Sequence, residues 1–275
     1  MSGPDALKTK DGRFSYEAAG AEDLPALVFM HGIGGAARAW RPQLAAFGDR
    51  YRAIAWDMPG YGNSPPLPAV SIATLADALK DFLRQVGAVK PVLVGHSIGG
   101  MIVQQLLTHD PIIAESVVLA QTSPAFGKPE GDWQKEFLEA RLGPLDRGAT
   151  MAQLAPKLVA ELVGDDGDQN GLTLARECMA SVPEASYRAA MMAMPGFDLR
   201  KALAEIRVPA LVIAGSKDKN APAAMVKKMA SFIPNATYVE LEGVGHLAPL
   251  EQPREFNAVL NDFLRTATPA SGSDA

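Results

Sequence analysis

The chain contains a single cysteine, Cys178, among its 275 residues. No intrachain disulfide can form, so the fold is not one built for an oxidising compartment. No apolar run approaches the length of a membrane span. The opening residues Met-Ser-Gly-Pro-Asp lack the basic-then-apolar pattern of a secretory signal, and a cytoplasmic protein without membrane insertion is expected. There is no block of five or more basic residues, and the net charge is -5, which argues against nucleic acid as a partner. Internal repeats are also missing. The closing residues are small and polar, so 267–275 is expected to form a flexible tail.

What is present fits one large α/β unit. Hydrophobic residues make up 48% of the chain and charged residues 21%, enough to bury a sizeable core. Short apolar runs read as buried strands at Ala26 to Met30, Arg52 to Trp56, Pro91 to Val94, Ser116 to Ala120, Ala210 to Ala214 and Thr237 to Leu241. Helical spacing covers Ser71 to Val86, Ile98 to Thr108, Pro222 to Phe232 and Pro253 to Leu264. Ser71 stands as an N-cap, and Pro222 and Pro253 stand in first turns. Lys8 to Ala18 reads as an antiparallel pair turned by Asp11-Gly12. Strand and helix in alternation predict parallel strands joined by crossovers.

One stretch breaks the alternation. From Ser123 to Phe197 there is no strand pattern, only helical patches at Trp133 to Arg141, Ala149 to Val163, Leu172 to Ala180 and Glu184 to Met194. The expected organisation is a core domain of 1–122 and 198–275 carrying a helical cap of 123–197 over one sheet edge.

The chemistry is carried by Val94-Gly95-His96-Ser97-Ile98-Gly99-Gly100, a G-x-S-x-G pattern between an apolar strand and an apolar helix. That strand–turn–helix setting is the one in which a sharp turn holds a serine hydroxyl in the open, and crowding at the turn demands glycine neighbours. A hydroxyl is a poor nucleophile without a base. Of the four histidines, His31 ends a strand and shapes a loop, His96 diverges from its neighbour on the turn, and His109 ends a surface helix. His246, in the glycine-rich Gly243-Val244-Gly245-His246-Leu247, remains as the base. Asp218, just past the apolar run ending at Ala214, is the carboxylate expected to orient it. The preceding strand is followed by Gln121-Thr122-Ser123, which holds no acid. The order serine, acid, histidine matches this arrangement. Backbone N–H groups of Ile33, in His31-Gly32-Ile33-Gly34-Gly35, and of Ile98 are the expected oxyanion donors.

Five segments together resemble the α/β-hydrolase superfamily over nearly the whole chain: H-G-I-G-G, W-D-M-P-G-Y-G-N-S at Trp56 to Ser64, G-H-S-I-G-G, A-G-S-K-D and G-V-G-H. The resemblance implies a mostly parallel eight-stranded sheet flanked by helices, with a helical lid inserted after the sixth strand. It also implies that Asp57, Pro59, Gly60, Gly62 and Ser64 shape a loop near the site. Within the superfamily the chain is most similar to small bacterial esterases and 3-oxoadipate enol-lactonases, departing from the latter at Ile98 and His96. Relatives with an aspartate or cysteine nucleophile do not match Ser97.

In the cap segment, Trp133, Phe137 and Met192 are candidates to line an apolar substrate pocket, and Arg188 could grip a substrate carboxylate if it faced the cleft. Helix packing and a solvated arginine are the competing readings. Cys178 reads as a small buried hydrophobe. The expected activity is cofactor-free and metal-free hydrolysis of a small ester or lactone by a monomer or homodimer. The alternatives are a carbon–carbon bond hydrolase of a ring-fission product and a ligand receptor that kept the triad.

Overall fold

In the computed structural model, residues 6–127 and 132–267 are described. The expected tail beyond Ala267 therefore lies outside the described residues. The first strands are β1 (Leu7–Lys8) and β2 (Ser15–Ala19), followed by β3 (Ala26–Met30). The β1–β2 turn is held by the Asp11 carboxylate, which accepts from Thr9 Oγ1 at 2.8 Å and Arg13 N at 3.0 Å, with Gly12 at φ 73°. A short 3-10 turn, Ala37–Trp40, leads into α1 (Arg41–Phe47). Then come β4 (Arg52–Trp56), α2 (Ile72–Gln85), β5 (Val92–His96), α3 (Ile98–His109) and β6 (Ser116–Ala120). The segment after β6 carries α4 (Trp133–Asp146), α5 (Met151–Leu162), α6 (Gln169–Ser181) and α7 (Glu184–Ala193). The chain closes with β7 (Ala210–Gly215), α8 (Ala223–Ala230), β8 (Ala236–Leu241), α9 (Ala248–Glu251) and α10 (Pro253–Ala267).

The eight strands form one sheet in the order β1-β2-β4-β3-β5-β6-β7-β8. β1 and β2 run antiparallel, β2 pairs antiparallel with β4, and every later pair is parallel. Strands β3, β5, β6 and β7 are buried almost throughout, as expected when helices cover both faces. On one face α1 and α10 bury Leu44, Phe47, Phe256 and Leu260; on the other α2, α3 and α8 bury Leu79, Phe82, Ile102 and Val226. No helix among the described residues is long and apolar enough to cross a membrane.

Local chemistry sets the helix starts. Ser71 caps α2 as anticipated, accepting from Thr74 N at 3.1 Å while Thr74 Oγ1 accepts from Ser71 N at 2.9 Å. Thr150 and Gln153 make the same box at α5. Pro253 occupies the first turn of α10, whereas Pro222 stands one residue outside α8. The short α1 and α9 carry no clear period in the sequence, and both are held by packing across the chain. The helical segment between β6 and β7 is closed at its base, where Phe126 N donates to Phe197 O at 3.1 Å and Leu199 N to Pro124 O at 2.7 Å.

Candidate active site

Ser97 occupies the turn between β5 and α3 with φ 54° and ψ -121°. A non-glycine residue there carries strain on the order of 1–3 kcal/mol, held in place by its surroundings. Ser97 N donates to Ala120 O at 3.0 Å, and Ser97 O accepts from Thr122 Oγ1 at 2.7 Å. The turn is tight enough to require glycine on both sides. A Cβ on Gly95 would lie 2.7 Å from Gly100 Cα, and one on Gly99 would collide with the Met30 carbonyl.

His246 comes to this turn from the loop between β8 and α9. Its Nε2 lies 2.9 Å from Ser97 Oγ, and its Nδ1 lies 2.7 Å from Asp218 Oδ2. The other Asp218 oxygen accepts from Asn220 N at 2.8 Å and Ala221 N at 3.0 Å. Burial alone would raise the Asp218 carboxyl, but the adjacent imidazole and these donors outweigh it and hold the pKa below the usual value. Asp218 is therefore an anion that accepts the Nδ1 proton, which leaves Nε2 facing Ser97 as the acceptor nitrogen.

The loop after β3 lies opposite. The Ile33 N–H donates to no protein group among the described residues, and the Ile98 N–H opens α3, so it has no helical acceptor. The loop is pinned from below. Met58 N donates to His31 Nε2 at 3.1 Å, so His31 carries its proton on Nδ1 and donates it to Gly32 O at 2.7 Å. Tyr61 Oη donates to Ile33 O at 3.0 Å. Asp57 ties the next loop in place, accepting from Ser15 Oγ and Ala37 N, both at 2.7 Å.

A cavity of about 390 Å³ opens onto Ser97 and His246. Its floor comes from the loops that follow β3, β5, β6, β7 and β8, and its walls largely from α4 to α7. Of the cap residues singled out in the sequence, Trp133 and Phe137 line it. Met192 and Arg188 do not. Met192 is 58% exposed on the outer face of α7, where the helical period turns it away from its cavity-lining neighbour Met191. Arg188 bonds Glu184 at 2.8 Å and Asp146 at 2.6 Å on the outer surface, and two carboxylates already satisfy its charge. The cations that do border the cavity are Arg141 and Lys219. Cys178 is buried in the cavity wall.

Two residues near the site escape a reading of the sequence. His96 does not simply diverge from Ser97. Its Nε2 donates to the backbone carbonyl of His246 at 2.6 Å, and burial lowers its pKa to about 3. Glu251 lies almost wholly buried. Its two oxygens accept from Gly245 N at 2.9 Å, Leu247 N at 2.7 Å and Gly164 N at 2.8 Å. Burial nonetheless pushes its carboxyl upward against those three donors. The only signal in the sequence is an acid set in the apolar Leu-Ala-Pro-Leu run just before α10. His246 N also donates to Leu162 O at 2.6 Å, so the end of α5 and the histidine loop share their hydrogen bonds.

The comparisons with known proteins agree with this architecture. A family model described as the alpha/beta hydrolase family matches residues 27–259. The chain is 28% identical over 265 residues to 3-oxoadipate enol-lactonase 2 of Acinetobacter baylyi, covering 95% of this chain and 96% of that one. It is 30% identical over 264 residues to a putative carbamate hydrolase RutD of Variovorax paradoxus, covering 90% and 95%. Among solved structures, a hydrolase from Pseudomonas aeruginosa superposes with a TM-score of 0.82 at 27% identity, covering 95% of this chain and 98% of that chain. The enol-lactonase from Burkholderia xenovorans superposes at 0.80 and 24% identity, covering 94% and 99%, a likeness of fold. With its mostly parallel eight-stranded sheet and a family match that runs from β3 through β8, the chain belongs to the alpha/beta hydrolase family.

Proposed function

We propose that the protein hydrolyses a small carboxylic ester or lactone through an acyl-enzyme on Ser97. The observation that carries this reading is the continuous relay from Ser97 Oγ through His246 to Asp218, with links of 2.9 and 2.7 Å. His246 Nε2 takes the hydroxyl proton as Ser97 Oγ attacks the carbonyl carbon. The Ile33 and Ile98 N–H groups receive the negative charge on the carbonyl oxygen, each worth on the order of 100- to 1,000-fold in rate. The imidazolium, steadied by Asp218, then gives its proton to the leaving alcohol oxygen. In the second half, water loses a proton to His246 and attacks the acyl carbon, which releases the carboxylic acid and restores Ser97. None of these steps calls for a metal or cofactor. Segment 123–197, closed at its base and walling the cavity, serves as the cap of a core formed by 1–122 and 198–275.

The names of the relatives support an ester-type carbonyl in a lactone, and the largely apolar cavity supports a small acyl chain. No observation favours carbon–carbon bond cleavage or a receptor role over this reading. The test is hydrolysis of para-nitrophenyl esters and simple lactones by wild type and Ser97→Ala. Turnover by wild type with a loss on the order of 10⁶ in the variant is expected. Retention of a tenth of the activity by Ser97→Ala overturns the assignment.

A further inference from the structure

The face of α4 that borders the cavity carries Trp133, Phe137 and Arg141, four residues apart and so stacked along one side of the helix. Trp133 is about half exposed at the mouth, whereas the Arg141 side chain is only 15% exposed. The Arg141 guanidinium carbon lies 5.5 Å from the centre of the Phe137 ring. One of its nitrogens, Nη1, bonds Glu161 Oε2 at 2.6 Å. The other oxygen of that carboxylate faces Lys157 Nζ at 3.8 Å, on an exposed side chain whose charge water screens.

A guanidinium has five N–H donors arranged as a fork. Among the described residues Arg141 spends one of them, and its Nε–Nη2 edge bonds nothing in the protein. Tyr187 on α7 also lines the cavity. It is 1% exposed, and its hydroxyl has no partner among the described residues. Burial pushes this phenol up to about 12, while the nearby Arg141 pulls it down. Tyr187 therefore stays a neutral donor across the working range. The surrounding wall is apolar, built from Leu158, Met191 and Met194. Buried donors in such a wall favour a ligand that brings an acceptor.

We propose that Arg141 and Tyr187 form an anion subsite that selects acyl substrates bearing a carboxylate remote from the scissile carbonyl. A carboxylate is planar and accepts two parallel N–H bonds from one edge of the fork. The edge of the fork left after the Glu161 bond, with the Tyr187 hydroxyl, supplies donors for it inside an apolar wall. Arg188 fails the same test because two carboxylates already occupy it. Lys219 is exposed, and water screens its charge. The proposal rests on the reading of Ser97 as the nucleophile of an ester hydrolase.

The test compares mono-para-nitrophenyl adipate with para-nitrophenyl hexanoate, and the suberate ester with the octanoate, in the wild-type protein, Arg141→Gln and Arg141→Lys. The readout is the ratio of kcat/KM for the carboxylate ester to that for its methyl-ended counterpart. In wild type the ratio is expected to exceed one by about 10- to 100-fold for at least one chain length, the range of a charge-assisted hydrogen bond. In Arg141→Gln it should fall to about one, and Arg141→Lys should recover part of it. A wild-type ratio at or below one overturns the subsite while leaving the hydrolase reading intact. An unchanged ratio in a folded Arg141→Gln does the same. Failure of wild type on all four esters overturns the hydrolase reading, and this proposal with it. Free adipate gives a second readout without turnover: it should raise the Tm of wild type and not of Arg141→Gln, and equal shifts in both overturn the subsite.

Discussion

His96 Nε2 and the backbone carbonyl of His246 lie 2.6 Å apart, so the residue just before Ser97 holds the residue that faces Ser97. The pairing also defines the tautomer. A carbonyl only accepts, so His96 carries its proton on Nε2 and remains neutral at working pH. His96→Phe keeps a ring but leaves that carbonyl without its donor, at a cost of about 1–3 kcal/mol. Turnover is expected to fall by about 10-fold or more with KM little changed, and the Tm should drop as well. Equal turnover in variant and wild type would show that His246 holds its place without this bond.

Glu251 joins the histidine loop to the helical segment through Gly245, Leu247 and Gly164. Glu251→Ala removes all three acceptor contacts, and each buried N–H left unpaired costs about 1–3 kcal/mol. Denaturant unfolding should place the variant several kcal/mol below wild type. Glu251→Gln keeps one acceptor oxygen and should fall between them. A loss under about 1 kcal/mol in the alanine variant would mean that water replaces the carboxylate.

Gly164 provides a second check on the same joint. A Cβ there would collide with the Gly243 carbonyl. Gly164→Val is expected to push the α5–α6 connection off the histidine loop and slow turnover of small esters by about 10-fold or more. Gly148 has open space where a Cβ would stand, but its φ is 89°. Gly148→Asn, which tolerates that backbone, serves as the control, with activity close to wild type.

Acid should destabilise the protein through two buried histidines. Burial lowers the pKa of His31, and that of His96 falls to about 3, against an ordinary imidazole value of 6.5. Both folded values lie below the unfolded one, so on acidification the unfolded chain takes up the protons first. The stability these groups contribute is complete above about pH 6.5 and falls below it, for His96 by about 1.4 kcal/mol per pH unit down to its folded value, with His31 acting in the same direction. Urea titrations at pH 7.5, 6 and 5 should show a midpoint that holds and then drops. A flat midpoint across that range would mean that the native state takes up the same protons.

Asp218 responds to acid in the same direction at lower pH. Its folded pKa is depressed, so the stability of its bond to His246 is present above the ordinary carboxyl value of 3.8 and is lost as pH falls through the folded value. Asp218→Asn removes the charge and supplies the wrong partner for Nδ1. Turnover should drop on the order of 10⁴-fold while KM changes little. A drop below about 10-fold in steady-state kinetics would point to a different orienting group.

Much of this architecture is local in origin and could be read from the chain. Val92 to Val94 is continuously apolar up to Gly95 at the turn, and Ser71 announces α2 by its own side chain. The interval 123–197 is set apart by its missing strands. All of these depend on periodicity or capping over a few residues. The outward turn of Met192, beside Met191 in the wall, is a different kind of fact, since the phase of α7 against the sheet is set by packing. The same holds for Arg188 and Arg141, which composition cannot tell apart.

By itself, then, the sequence determined the order of the main strands and helices, the turn that carries Ser97, and the choice of His246 and Asp218 as its expected partners. Tertiary structure alone decided what surrounds them: His96 under the His246 carbonyl, Glu251 between Gly164 and the histidine loop, and Arg141 rather than Arg188 beside the cavity. The physical reason is that hydrogen bonds and ion pairs act over a few ångströms in space, while the patterns legible in a sequence act over a few residues along the chain.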